Sequence, residues 1–395
     1  MNKEKKLKKG LRAVFIREIN RMASRSIYWW MLLILPIFSF LLFTDMFSEG
    51  KADGYSIAVV DSDNSPMSRL IIRWINATPE VNIQYYVSSL EEGKRLIEKS
   101  KARAVLLIPK GTENGVYKGN ANPLTLFYSN ANLSAGSAVN VAVLTVVKTI
   151  SAGINLNKRI SNKEMYDQAM YNIQPIKIET HALYNPYINY EYFLATALLP
   201  VMLLMFILSS TIFSIGTELK YSTAADWYKI SNNSIIVALT GKLLPYSIIF
   251  IIEAFFMNTI LFKYMQAPMH GSYFVIFLST VFFVFAYQAM GVFLISLFPN
   301  MRLSLSLGAA YSSLAFSFAG LTFPGIGMDK ILYYFSLIFP FTHYLNIYIN
   351  ESLRGIDLQY SIKYFIALGI FISLPIFLIP RLKSFLTNKK YWGGL

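Results

Sequence analysis

Apolar and polar residues along this chain separate into long blocks. A bilayer hydrocarbon core about 30 Å thick takes roughly 20 apolar helical residues. Five uncharged runs meet that length: Ser26 to Thr44, Tyr192 to Thr217, Ser272 to Phe298, Leu303 to Met328 and Tyr364 to Pro380. A sixth lies between Lys242 and Lys263, interrupted once by Glu253. Ile331 to Asn350 is also uncharged, but Pro340 and His343 break it, and it reads as a re-entrant or interfacial element on the outer face. Between the first two spans the pattern changes to that of a soluble lobe. Tyr55 to Val60, Val81 to Val87 and Ala104 to Ile108 are short β-branched or aromatic runs, separated by the helical patterns Ser65 to Asn76 and Ser89 to Ser100. This predicts a β-α-β-α-β core. Leu124 to Tyr128 and Ile176 to Thr180 are further strand candidates, and Ser134 to Met170, free of proline, is a long helical stretch.

Composition agrees with lipid as the solvent for much of the chain. Of 395 residues, 54% are hydrophobic and only 15% charged, against about 25% charged in soluble domains. The net charge of +14 points to anionic headgroups rather than nucleic acid. With no cysteine, disulfides, thiolate metal sites and cysteine nucleophiles are all excluded. Basic residues set the orientation. Lys3, Lys5, Lys6, Lys8, Lys9, Arg12, Arg17, Arg21 and Arg25 precede the first span, and Arg381, Lys383, Lys389 and Lys390 follow the last, so both termini are expected in the cytoplasm. The first span is expected to remain as an anchor, because its basic leader is long and no small-x-small cleavage site precedes Ser48. Residues 8 to 25 read as an amphipathic helix in the headgroup plane, its apolar face blurred by Glu18.

Candidate chemistry is sparse. Asp61-Ser62-Asp63 directly after a strand is where haloacid-dehalogenase-like phosphatases place a nucleophile and its acid. The plainer reading is that Asp61, Asp63 and Ser65 bend the chain and cap a helix that begins at Pro66. A calcium loop would need Gly and Glu where Pro66 and Ile72 stand. His181, His270 and His343 are too scattered for a metal site. Gly241-Lys242 lacks the rest of a Walker A loop, so the chain is expected to bind no nucleotide and no cofactor itself, and to have no catalytic residue. Glu253 lies mid-span, where an ionised carboxylate costs at least about 2.5 kcal/mol. It reads either as a group on a substrate or ion path or as glue between helices through Asn258 or a neighbouring hydroxyl.

The segment Gly216-Thr217-Glu218-Leu219-Lys220-Tyr221-Ser222-Thr223-Ala224-Ala225-Asp226-Trp227 reads as a short interfacial helix with charges of both signs. Together with Gly241-Lys242-Leu243-Leu244-Pro245 it resembles the permease subunits of type-2 ABC transporters, the class of drug and polysaccharide exporters. Glu218 and Thr223 match that pattern, whereas Lys220, Ser222, Ala225 and Trp227 depart from it. Phe15-Ile16-Arg17-Glu18 is similar to the family's elbow helix, and Val60-Asp61-Ser62-Asp63 to the opening of its external domain. Phe323-Pro324 and Phe339-Pro340-Phe341-Thr342-His343-Tyr344 are similar to its external re-entrant region, with Pro324, Pro340, Thr342 and Tyr344 at the motif positions. The resemblance implies a two-fold assembly with a second permease, a homo- or heterodimer, and with cytosolic ATPase subunits that bind the ATP. Glu18, Glu218, Lys220, Thr223, Asp226 and Trp227 are then the residues expected to couple ATPase movement to the spans. A periplasmic adaptor is the further partner that the external lobe would take.

The expected fold class is therefore membrane α-helical: six transmembrane helices, with a large α/β extracytoplasmic domain between the first and second. Expected bounds are a tail and elbow at 1–25, the first span at 26–47, the lobe at 48–189, a five-helix domain at 190–380 and a tail at 381–395. Within the five-helix domain, a coupling loop covers 216–234 and the re-entrant region 324–358. The expected function is that of a permease subunit of an ABC exporter in the cell (inner) membrane. The rival is a membrane-anchored assembly protein that acts through its outer lobe without transporting anything.

Overall fold

The computed structural model describes residues 9–48, 53–120, 122–175, 190–320 and 325–393. Two units divide the chain: Met1–Gly50 with Ala182–Leu395, and Lys51–His181. His181, Pro324 and the strand expected at Ile176 to Thr180 lie outside the described residues.

Helix α1 (Leu11–Ser24) opens the first unit. The first span is one rod of three pieces: α2 (Ser26–Trp29), a π turn at Trp30–Ile34 and α3 (Leu35–Phe47). Pro36 enters the first turn of α3 without an N–H, and the wide turn just before it is how the ladder absorbs the missing bond.

The second unit holds β1 (Tyr55–Asp61), α4 (Pro66–Asn76), β2 (Val81–Tyr86), α5 (Leu90–Glu98), β3 (Ala104–Ile108), α6 (Thr112–Lys118), β4 (Thr125–Tyr128), α7 (Leu133–Ser161) and α8 (Tyr166–Ile173). Its sheet order is β2-β1-β3-β4, parallel except for β3 with β4. Because side chains alternate along a strand, Ile57, Val59, Leu106 and Ile108 face one side and Ala58, Val60 and Val105 the other. The first set packs on Ile71 and Ile75 of α4 and on Val139, Val143, Val146 and Ile150 of α7. Those four α7 residues recur at helical spacing, so this long helix spends its apolar stripe on the sheet.

The first unit resumes with α9 (Tyr190–Lys220), α10 (Ala224–Ile230), α11 (Ile235–Thr259), α12 (Tyr273–Leu297), α13 (Met301–Phe318), α14 (Lys330–Ser336), α15 (Pro340–Tyr348), α16 (Ile362–Ser373) and α17 (Ile379–Thr387). The π turns at Ile260–Tyr264 and Ile349–Arg354 extend α11 and α15. Helices α9 and α12 form the buried centre, and α3, α11 and α13 pack around α9.

Among the described residues, six helices are long and apolar enough to cross a membrane: Ser26–Phe47, Ser134–Ser161, Phe193–Lys220, Ile235–Tyr264, Tyr273–Leu297 and Ile362–Thr387. Five match expected spans. The remaining one is α7, whose apolar stripe lies on the sheet. The crossing expected at Leu303 to Met328 is helical only over Met301–Phe318, roughly 27 Å at 1.5 Å per residue. Gly320, at φ 94°, turns the chain out of the helix soon afterwards. Ile331 to Asn350 is no straight span either, since α14 and α15 are separate short helices with Pro340 in the first turn of α15.

Candidate functional site

Three well-separated stretches of the first unit converge on one buried ion cluster. Glu218, in the last turn of α9, has no exposed surface. Its Oε1 accepts from Arg17 Nη1 at 2.7 Å and its Oε2 from Arg17 Nη2 at 2.9 Å, a two-pronged pair. Arg21 and the Thr223 hydroxyl also donate to it. Lys242 Nζ, likewise unexposed, donates to Glu218 Oε1 at 2.9 Å and to Glu18 Oε2 at 2.6 Å. Tyr246 Oη donates to Glu18 Oε1 at 2.7 Å. Arg21 Nη2 donates to Thr217 Oγ1 at 2.6 Å. The third side of the ammonium lies 4.9 Å from the Trp227 ring centroid, and the Trp227 indole N–H donates to the Ala238 carbonyl at 3.2 Å.

Local structure explains the convergence. On α1, Val14, Arg17, Glu18 and Arg21 share one helical face, and Val14 and Glu18 are the buried residues of that helix. Gly241 lets the helix come close, since a Cβ there would stand 2.8 Å from Val14 Cβ and 3.1 Å from the Leu11 carbonyl. Lys242 and Tyr246 are one turn apart on the buried side of α11. Arg17, Arg21 and Lys242 face Glu18 and Glu218, three cations against two carboxylates, so the cluster holds one excess positive charge. Burial alone would lower the Arg17 pKa, but the hydrogen bond and charge of Glu218 outweigh it and the guanidinium is raised. Breaking such a cluster by removing one partner typically costs about 3–5 kcal/mol, because the other charges stay buried.

Of the expected coupling residues, Glu18, Glu218, Thr223 and Trp227 meet here. Lys220 does not, its Nζ lying 5.8 Å from the Tyr221 ring centroid, whereas Asp226, exposed in the first turn of α10, makes no hydrogen bond to the cluster but acts on Arg17 through its charge. The expected single interfacial helix is two pieces. Gly216 to Lys220 continues the span helix α9, and α10 begins only at Ala224, after Ser222 at φ 56°. Arg17, Arg21, Lys242 and Tyr246 are cluster members that the sequence reading gave no such role. Lys242 carried a usable signal: α11 begins at Ile235, seven residues before it, so this cation sits inside an apolar helix and demands a counter-charge.

Glu253 lies on the same face of α11, 3% exposed, and neither carboxyl oxygen has a hydrogen-bond partner among the described residues. The expected bond to Asn258 is absent, and Asn258 Nδ2 donates instead to Thr280 Oγ1 at 3.2 Å. In the re-entrant region, the Thr342 hydroxyl donates to the Ser336 carbonyl at 2.8 Å and so ties α15 to α14. The Tyr344 ring packs 4.4 Å from that of Phe283.

In the second unit the acidic loop is a folding device. Asp61 Oδ1 accepts from the backbone N–H groups of Asp63 and Asn64, and its Oδ2 from the Ser68 hydroxyl at 2.7 Å. Asp63 accepts from the backbone N–H groups of Gly111, Thr112 and Glu113. Hydrogen bonding from Ser65, opposed by slight burial and reinforced by those backbone groups, holds the Asp63 carboxyl below the usual aspartate range. Ser65 and Ser68 form a capping box at the start of α4. Every carboxylate oxygen of the pair is thus engaged, an arrangement that suits the capping role rather than a nucleophile. Among the described residues, no group of three or more His, Asp or Glu side chains is placed to hold a metal ion.

A bundle of apolar helices, with a surface helix ion-paired into two of them, defines a multi-pass membrane protein. The chain belongs to the ABC-2 family transporter proteins, which it matches over residues 25–379. It is an ABC transporter permease of that type. No curated protein matches it.

Proposed function

We propose that the chain is the membrane subunit of an ABC exporter in the cell (inner) membrane, powered by ATP that a separate cytosolic subunit binds and hydrolyses. The observation that carries this reading is the Glu218 cluster, which ties α1, the 220–234 loop and α11 to the end of α9. A partner pressing on the exposed side of that loop, at Tyr221, Ser222, Asp226 and Lys229, would displace α1, α9 and α11 together. Two stiff spans moved as one lever, against a core with two packings, give alternating access. Both termini and the loop would then be cytoplasmic, in line with the positive-inside rule, and residues 51–181 would lie outside, where an adaptor or the cargo meets them. A second permease fits the exposed face of α13, where Ser306, Ala309, Ala310, Ser313 and Ser317 let another helix approach closely.

The test is co-purification with a cytosolic ABC ATPase, followed by Glu218→Gln. Export that stops while the ATPase stays bound and keeps hydrolysing supports the reading. Export unchanged in that variant contradicts the coupling role. An assembly protein without transport activity would show neither bound ATPase nor export.

A further inference from the structure

Helix α1 is amphipathic in reverse: Glu18 is wholly buried, whereas Ile16 and Ile19 are 46% and 43% exposed. Its outward apolar face lines a groove of about 350 Å³. Phe15, Ile19 and Ala23 of α1, Trp29 and Leu32 of the first span, and Ile248 of α11 form the walls. An apolar cavity of about 150 Å³ admits benzene, so this groove has room for on the order of a dozen carbons. Trp29 is fixed at its edge by an indole N–H bond to the Ala23 carbonyl at 3.4 Å, and Trp29 and Trp30 are half-exposed, as aromatics at a headgroup boundary are. Arg12 is exposed and lies one turn before Phe15 on the same helical face. Lys9 and Arg25 flank the helix and are exposed too.

We propose that this groove binds one acyl chain of an anionic bilayer phospholipid, whose headgroup is held by Arg12 and the neighbouring basic residues. An apolar slot open at a membrane surface takes hydrocarbon, and among the described residues the exposed Lys9, Arg12 and Arg25 bring positive charge beside it. An in-plane helix with a basic edge selects anionic lipid by about fivefold for each basic residue near the surface. The site needs only that α1 lies at the membrane surface, so it stands or falls apart from the transport reading. A lipid seated there would brace the outward side of α1 while the ion cluster holds its inward side.

The full chain, reconstituted in phosphatidylcholine vesicles, tests this through Trp29 fluorescence, taken as the difference between the wild type and Trp29→Phe. Phosphatidylglycerol with brominated chains should half-quench Trp29 at a mole fraction about fivefold lower than brominated phosphatidylcholine does. Arg12→Gln, an exposed position, should narrow the gap between the two lipids, and Ala23→Phe, which fills the groove, should weaken quenching by both while leaving the buried Trp227 signal unchanged. Equal quenching by both lipids in the wild type would overturn the proposal and leave ordinary lipid contact. Protection from both lipids would also overturn it, by showing the groove closed or filled by protein or cargo.

Discussion

Two buried carboxylates in the membrane unit have opposite surroundings. Glu218 receives donors from Arg17, Arg21, Thr223 and Lys242. Glu253, on the buried side of α11 three turns beyond Lys242, has no partner for either oxygen among the described residues. Taking a carboxyl group out of water is unfavourable in both places, so the first site has been stabilised by three separate stretches of chain and the second has not. The contrast separates two roles. A satisfied cluster holds together the stretches that build it, while a carboxyl with no hydrogen-bond partner among the described residues adds no hydrogen bond between helices.

The largest expected effect lies at the joint. Glu218→Gln leaves three cations facing Glu18 alone, and thermal unfolding in detergent should show a loss of about 3–5 kcal/mol. A loss below about 1 kcal/mol would show that the cluster is loosely solvated and would erase the contrast. Tyr246→Phe removes one hydrogen bond to the charged Glu18, worth about 1.5–3 kcal/mol; an unchanged melting temperature would mean that water replaces it.

Asp63 offers a third case, a carboxylate satisfied mainly by backbone. Its folded pKa is lowered, so the stability it contributes is present above the ordinary aspartate value of about 3.9 and is lost as pH falls through the folded value. Hydrogen exchange on the full chain should show the Gly111 to Glu113 amides losing protection on acidification, and Asp63→Asn should remove that pH dependence. Asp63→Ala should cost about 1 kcal/mol, as other lost caps do. The smallest effect belongs to Glu253→Leu. It should leave stability unchanged or slightly raised, since an apolar residue of similar volume replaces an unpaired polar one, while transport falls. A clear loss of stability would restore Glu253 as glue between helices, and normal transport would end its functional claim.

The spans were legible because lipid permits few charges over 20 residues, and that constraint acts residue by residue. The β-α-β-α-β order and the Ser65 cap were legible for the same reason, being local. Helix α13 is shorter than its uncharged run, because absence of charge does not force helix: Gly320 ends it, and that glycine was visible in the sequence. Of the ion cluster, the family pattern pointed to Glu18, Glu218 and Thr223. The pairing of Glu218 with Arg17 and of Lys242 with Glu18 spans 201 and 224 residues of chain, and no periodicity encodes contacts so distant. Arg17 and Arg21 were read as surface charge because basic residues before a first span ordinarily are, whereas here the helix turns them inward.

The absence of cysteine makes the central claim directly measurable. Spin labels on Asn20→Cys in α1 and Tyr264→Cys at the far end of the α11 rod, both exposed positions, report the distance between them when the associated ATPase is trapped with nucleotide. Because the intact cluster moves α1 and α11 as one, the account predicts an unchanged distance distribution in the otherwise unaltered chain, and a shifted one when Glu218→Gln is added and the complex remains assembled. The same shift with and without Glu218 would contradict it.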